Sequence, residues 1–406
     1  LGFSTSRTIL HRDVHGVYVP GTEASSEEMK ELAFAVDRAG EGTLEIVSDW
    51  LDQEIEMSWM KEYVEKSDCG LTVLQTNGDS VKTILFCEEQ FLKGKNVRPQ
   101  FPGRNVGLMF GLESSLHPFI GHPSYKEISH LPLNERLSIM RDPAFKQKIL
   151  NESPSFREDL QKAAKEQKSN KTKEEIKAEA EIGKKLISNY ETQFILSDPP
   201  NYEPTREDSI AYLAEQRNQS EEEVIYDELI KDNGKSLIYA CFTPYENHKL
   251  EFVETFYKLK SSVAGGSDGG AHCGLICDAS MPTTNLSHWA RDRSAGNKIP
   301  LELIIRKQTK DTAETYGLFD RGEIKTGMIA DINIIDFEKL NVSLPKMIFD
   351  LPKGGTRLVQ ESFGYLATIK SGEVVYENGQ ATGTLPGQVI RGKQTSAAKE
   401  TKEKLS

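Results

Sequence analysis

Apolar residues recur along the first hundred positions in two alternating rhythms. Residues 25–40 (SSEEMKELAFAVDRAG) place Met29, Leu32, Ala33 and Val36 on one helical face, opened by Ser25 and Glu28 at capping-box spacing and closed by Gly40. Residues 43–49 (TLEIVSD) then alternate as a strand ending in Asp49, and a second helix is predicted through Leu51, Ile55, Trp59 and Tyr63. The strand LTVLQTN (71–77), a helix through Val81, Ile84, Leu85 and Leu92, and the strand NVRPQF (96–101) repeat the alternation. Strands and helices of these lengths in strict alternation predict a parallel sheet. Its carboxyl tips would put residues 4–7, Asp49, residues 75–77 and residues 98–104 on one rim.

The rhythm breaks at Gly103. Residues 103–125, with His117 and His122 among glycines and prolines, have no clean period and are expected to form a loop over the rim. Polar helices dominate from Leu133 to about Lys231, and residues 157–185, almost all charged or small, read as a solvated helical insertion. The barrel pattern is expected to resume with SLIYACFT (236–243), a helix from His248 to Lys260, and a strand ending in Asp268. Further on, Pro300 suits a first helical turn, Leu301, Ile304, Ile305, Thr312, Ala313 and Tyr316 share a face, and Gly317 stops the helix. Beyond Phe319, short strands punctuated by SG, NG and PG turns predict a small β domain over 319–392, with Asn378-Gly379 as a tight hairpin turn. The polar residues 393–406 are expected to be disordered.

The stretch SVAGGSDGGAHCGLICD (262–278) concentrates the chemistry. A short apolar run ends in Gly265 and Gly266, which let the backbone turn tightly, and Ser267-Asp268 put a carboxylate at a strand tip among residues too small to shield it. A loop cap is the plain alternative for Asp268. His272, Cys273 and Cys277 also invite a zinc reading, but no second ligand pair follows at finger spacing.

Composition narrows the function classes. Across 406 residues, 37% hydrophobic and 28% charged content describes a soluble globular chain, and a net charge of -12 disfavours nucleic-acid and anionic-membrane partners. There is no bilayer-length apolar run and no secretory signal pattern. Five cysteines without a CxxC pair fit a reducing compartment, so a cytoplasmic location is expected. LGFSTSRT (1–8) opens like the end of a strand, which suggests the C-terminal part of a longer protein.

SDGGAH (267–272), residues 307–337 and residues 364–392 together resemble the amidohydrolase superfamily, most closely its N-acyl-D-amino-acid deacylase (D-aminoacylase-like) branch, with GFSTSRT (2–8) and DLPKGGTRLVQ (350–360) also similar. The resemblance implies an α/β fold: part of a TIM-like (β/α)8 barrel over 1–318 with a helical insertion at about 121–235, then the C-terminal part of a small β-sandwich. It implies that Asp268 exchanges protons with a metal-activated water and that His272 orients Asp268 or stabilises an oxyanion. A divalent metal is implied, zinc by preference, as one ion or two, with Asp268 and Asp49 as ligands. The family's His-x-His pair is absent from this chain, and its two strand-tip histidines are replaced by Asp49 and Gln75; glutamine is a poor ligand.

An acylated amino acid presents a carboxylate, which arginine holds with paired hydrogen bonds. Arg7, Arg98, Arg104, His11 and His117 are rim candidates for substrate, Gln75 joins them, and Asn77 stands where the family has a basic residue. The expectation is metal-dependent hydrolysis of a C–N amide bond, that of an N-acyl (D-)amino acid, with a small-molecule substrate. The alternatives are a cyclic-amide or other amide hydrolase on the same barrel, and a non-catalytic binding homologue.

Overall fold

The computed structural model describes residues 3–8, 11, 17–40, 42–50, 52–75, 81–154, 187–243, 245–267, 269–270 and 272–394. Four strands follow one another in parallel: β1 (Phe3–Arg7), β2 (Thr43–Ser48), β3 (Gly70–Leu74) and β4 (Val97–Pro102). The capping reading of the first connecting helix holds, since Ser25 Oγ accepts from Glu28 N at 3.1 Å and the helix runs Ser26–Arg38. Leu44, Ile46, Leu71, Val73 and Val97 turn to the helix side, where they bury against Met29, Ala33, Trp59, Met60 and Tyr63. At roughly 1.5–3 kcal/mol for each large side chain taken out of water, this layer holds helices and sheet in register.

The chain then leaves the sheet. Three further strands, β5 (Val106–Phe110), β6 (Gln193–Ile195) and β7 (Ile238–Thr243), pair antiparallel in the order β5-β7-β6, and helices pack on them around Phe110, Phe119, Tyr226 and Ile238. Two expectations are corrected here. The stretch after Gly103 contains a strand, and SLIYACFT belongs to this second sheet, because its hydrogen-bond partners are β5 and β6. The parallel sheet resumes only with β8 (Val263–Gly265), which pairs directly with β4 through Gln100↔Val263 and Pro102↔Gly265. The fold is thus α/β, with a sheet of five parallel strands in the order β1-β2-β3-β4-β8. Most of the charged insertion, 155–186, lies outside the described residues, as do residues 395–406 of the expected tail.

The predicted apolar faces need adjusting in two helices. In Val81–Leu92 it is Thr83, Phe86 and Cys87 that are buried, while Val81, Leu85 and Leu92 face solvent. The expected single helix after Pro300 is two, Leu301–Gln308 and Lys310–Thr315, broken at Thr309. Between them and β8, residues Asn285–Asp292 form a π-helix. No helix among the described residues is long and apolar enough to cross a membrane.

The C-terminal region is antiparallel. Strand β9 (Ile332–Ile335) joins β14 (Tyr365–Lys370), β15 (Glu373–Glu377) and β16 (Gln380–Ala381) in one four-stranded sheet, while β10 (Asn341–Val342) pairs β13 (Ser362–Phe363) and β11 (Lys346–Leu351) pairs β12 (Gly355–Val359). Asn378 and Gly379, both with positive φ (48° and 78°), make the expected hairpin turn between β15 and β16.

A buried ionic knot ties the insertion to the π-helix. Arg293 donates from Nε and Nη2 to the Glu203 carboxylate, each at 3.0 Å, and from Nη1 to Glu254 at 2.9 Å, while His288 Nε2 stands 2.8 Å from Glu203 Oε2. Burial would raise the Glu203 carboxyl, but His288 and Arg293 overcome that and hold it down to about 2. Lys258, then Arg293 and Asn297, hold Glu254 at about 2 against burial. Both folded-state values lie below the ordinary 4.5, so this stabilisation is complete above that pH and is lost as pH falls towards 2. Glu203→Gln is expected to lower stability by about 3–5 kcal/mol at pH 7 and to flatten the loss between pH 4.5 and 2. Urea titrations across that range measure both; an unchanged pH slope would contradict the assignment.

Candidate functional site at the strand tips

The glycine-rich loop follows β8 at the carboxyl end of the sheet, beside the end of β4. A Cβ at Gly265 would stand 2.1 Å from Gln100 Nε2, so the glutamine fills the space that glycine leaves and would have to move for any larger residue. Gly266 then takes φ +74°, a left-handed turn that directs the chain over the rim. Asp268 itself lies outside the described residues. The second half of the loop is stitched to its surroundings: Met109 N donates to Leu275 O at 2.8 Å, Ser115 N to Gly274 O at 2.9 Å, and Leu358 N to Cys273 O at 2.7 Å. The loop therefore rests on β5, on the segment after it, and on β12.

His272 and His11 come together. Their ring centroids are 5.2 Å apart, with His11 arriving from the segment after β1 and His272 from the loop after β8. These are the two edge strands of the sheet, so the contact shows how far it curls. Ser6, near the end of β1, hydrogen-bonds His11 Nδ1 at 2.5 Å. His272 is exposed and has φ +48°, a backbone region that residues other than glycine seldom adopt.

The arginines divide by fate. Arg7 is spoken for: its Nε donates to Glu56 Oε1 at 2.5 Å and its Nη1 to Ala24 O, and Glu56 also accepts from Trp59 Nε1. Arg98 is corrected outright. It is the second residue of β4, opposite Thr72 in the parallel register, and so sits at the amino end of the sheet, away from the rim. There its guanidinium covers the Phe91 ring at 4.5 Å and lines a cleft of about 790 Å³ with Asn96, Glu314 and Tyr316. Arg104 does stand just past the β4 tip, but it is 2% exposed, donates from Nη2 to Cys277 O and Asp278 Oδ1, both at 2.9 Å, and covers the Tyr202 ring at 3.6 Å. Its Nε and Nη1 find no partner among the described residues. Its visible work is to pin the end of the glycine loop to β4.

At the next two tips, Asp49 follows β2, its backbone N donating to Arg7 O at 3.4 Å, and Gln75 follows β3. Gln75 is fully buried and turns its Nε2 onto Val73 O of its own strand at 3.2 Å. Asn77 lies outside the described residues. His117 is buried, packed edge-on against Tyr125, and burial, with Arg136 adding to it, pushes its imidazole down to about 3. His272, Cys273 and Cys277 make no zinc cluster. Burial pushes the Cys277 thiol up to about 11, and Cys273 lies against Thr356 O. Among the described residues no three His, Cys, Asp or Glu side chains gather closely enough to hold a metal ion. The donors on the described rim are Asp49 and the His11–His272 pair.

Sequence reasoning missed Tyr202, the contact of Ser6 with His11 and the pairing role of Asp278. Asp278 closed the conspicuous stretch, and Ser6 lay inside the FSTSR strand end, so both were within view. Tyr202 had no local signal, since only the fold brings it to Arg104.

Residues 250–376 match the amidohydrolase family. No curated protein matches the chain. A solved structure of D-aminoacylase, described for the functional role of its binuclear metal centre, aligns at 16% identity and TM-score 0.46 over 90% of this chain and 59% of its own. A second, the D-aminoacylase crystal structure said to define a novel subset of amidohydrolases, aligns at 17% identity and TM-score 0.44 with the same coverage. The chain spans 59% of the length of these solved proteins. The matched segment runs through β8, the glycine loop and most of the C-terminal strands, so it is over this segment that the chain is similar to the amidohydrolase family.

Proposed function

We propose that this chain is the greater part of a hydrolase that cleaves a C–N amide bond at the carboxyl rim of its parallel sheet, in the manner of D-aminoacylase, on an N-acylated amino acid. The observation that supports this reading most is that the family match covers β8 and the glycine loop, the loop that the β4–β8 seam delivers to the carboxyl rim. A divalent metal ion, zinc by preference, supplies activation of the attacking water when bound.

The chain's own residues do the rest. Asp268 accepts a proton as water oxygen adds to the amide carbon, and returns it to the nitrogen as the C–N bond breaks, leaving a carboxylate and an amine. Gly266, Gly269 and Gly270 leave that carboxylate unshielded along the sequence, and the bonds from Met109, Ser115 and Leu358 fix the loop behind it. Arg104 holds the loop's far end through Asp278.

The second reading, a binding homologue without turnover, is favoured by one observation: Gln75, at a tip where a ligand histidine was expected, spends its amide on its own strand. Two measurements on the full-length protein decide. Asp268→Asn is expected to leave the circular dichroism spectrum intact and to lower amide turnover by roughly two to four powers of ten; normal turnover in this variant ends the assignment. Elemental analysis after metal reconstitution is expected to find a bound divalent ion, and its absence favours the binder.

A further inference from the structure

We infer that His11 and His272 form a two-imidazole metal-binding site, taking the place of the histidines missing from the β2 and β3 tips. The inference rests on the amide-hydrolase reading for its purpose, though not for its geometry. An imidazole nitrogen stands about 2.0–2.1 Å from a zinc-like ion, which puts each ring centroid roughly 3.2 Å from the metal and two centroids at a tetrahedral angle about 5.2 Å apart. The observed separation is 5.2 Å, with the planes tilted by 36°.

Two further observations point the same way. Ligating histidines are oriented by a hydrogen bond on the ring nitrogen that does not bind, and Ser6 Oγ engages His11 Nδ1 at 2.5 Å, so the inference assigns Nε2 as the ligand atom. His272 is held at φ +48° by a turn in which its own carbonyl accepts from Leu275 N and Ile276 N at 2.8 and 2.9 Å. A left-handed histidine in a loop otherwise rich in glycine is a conformation with a cost, kept where the side chain's direction matters.

The placement matters as much as the distance. Asp49 and Gln75 occupy the tips where histidine ligands were expected, and Gln75 has turned its amide away. The two imidazoles instead enter from the loops beyond β1 and β8, the outer strands of the sheet, and meet above the rim. Among the described residues Asp49 is not gathered with them into a three-ligand group, so the pair by itself leaves coordination positions open. Open positions are what a hydrolytic site requires.

The test uses full-length protein, stripped with chelator and titrated with Co²⁺ by calorimetry and visible absorption. Wild type is expected to bind Co²⁺ with the spectrum of nitrogen-ligated cobalt. His11→Gln and His272→Gln are each expected to bind at least about tenfold more weakly and to lose that spectrum, and Ser6→Ala to weaken binding by about tenfold while keeping it. Circular dichroism checks folding, and the asparagine variants replace any glutamine variant that folds poorly. Failure of wild type to bind Co²⁺, or unchanged affinity and spectrum in both histidine variants, overturns the inference. Unchanged binding with lost amide turnover would sink this site and leave the hydrolase reading standing. Lost binding with undiminished turnover would uphold the site and sink the metal-dependent reading.

Discussion

Everything at the rim depends on one seam, the parallel pairing of β4 with β8 across an excursion of some hundred and sixty residues. Pro102 and Gly265 are register partners at the carboxyl end, and the absent side chain at Gly265 is the space that Gln100 fills. Because the two backbones meet there, the chain leaving β4 enters the insertion and the chain leaving β8 enters the glycine loop at the same point. Arg104 and Asp278 close the arrangement a few residues further on, as a buried pair joining the two exits. A buried pair of this kind contributes little net stability against an apolar substitute, yet losing one partner is costly, so it fixes where the loop ends.

The insertion is held by separate means. Its antiparallel sheet has its own core, and its Glu203 is clasped by Arg293 and His288 from the end of the π-helix. The π-helix also reaches the seam, where Trp289 Nε1 donates to Gly103 O at 2.6 Å. From this helix and its C-terminal cap His288 and Arg293 turn to Glu203, while Trp289 turns to the seam.

Much of this was legible in the sequence, and the failures have physical reasons. The alternation of β1 to β4 with three helices, the Ser25 cap and the Asn378-Gly379 turn are local features, and each appears as expected. Partner choice is not local. SLIYACFT has the apolar run of a barrel strand but pairs with β5 and β6, and nothing within its eight residues distinguishes the two outcomes. Arg98 was placed on the wrong end because the NVRPQF strand runs on to Pro102, which turns a presumed tip residue into a starting one. The His11–His272 contact joins positions 261 apart and depends on the curl of the sheet, a property no window of sequence displays. Both residues were singled out for their chemistry, and only the structure made them a pair.

The account's central claim is that the reactive centre lies above the carboxyl ends of the parallel strands and is organised by the loops after β1 and β8. Anomalous diffraction from crystals of metal-loaded full-length protein tests it most directly. The account predicts a peak over that rim, within coordination distance of His11 and His272. A peak at the amino-end cleft beside Arg98, or one elsewhere on the protein with none at the rim, would contradict it.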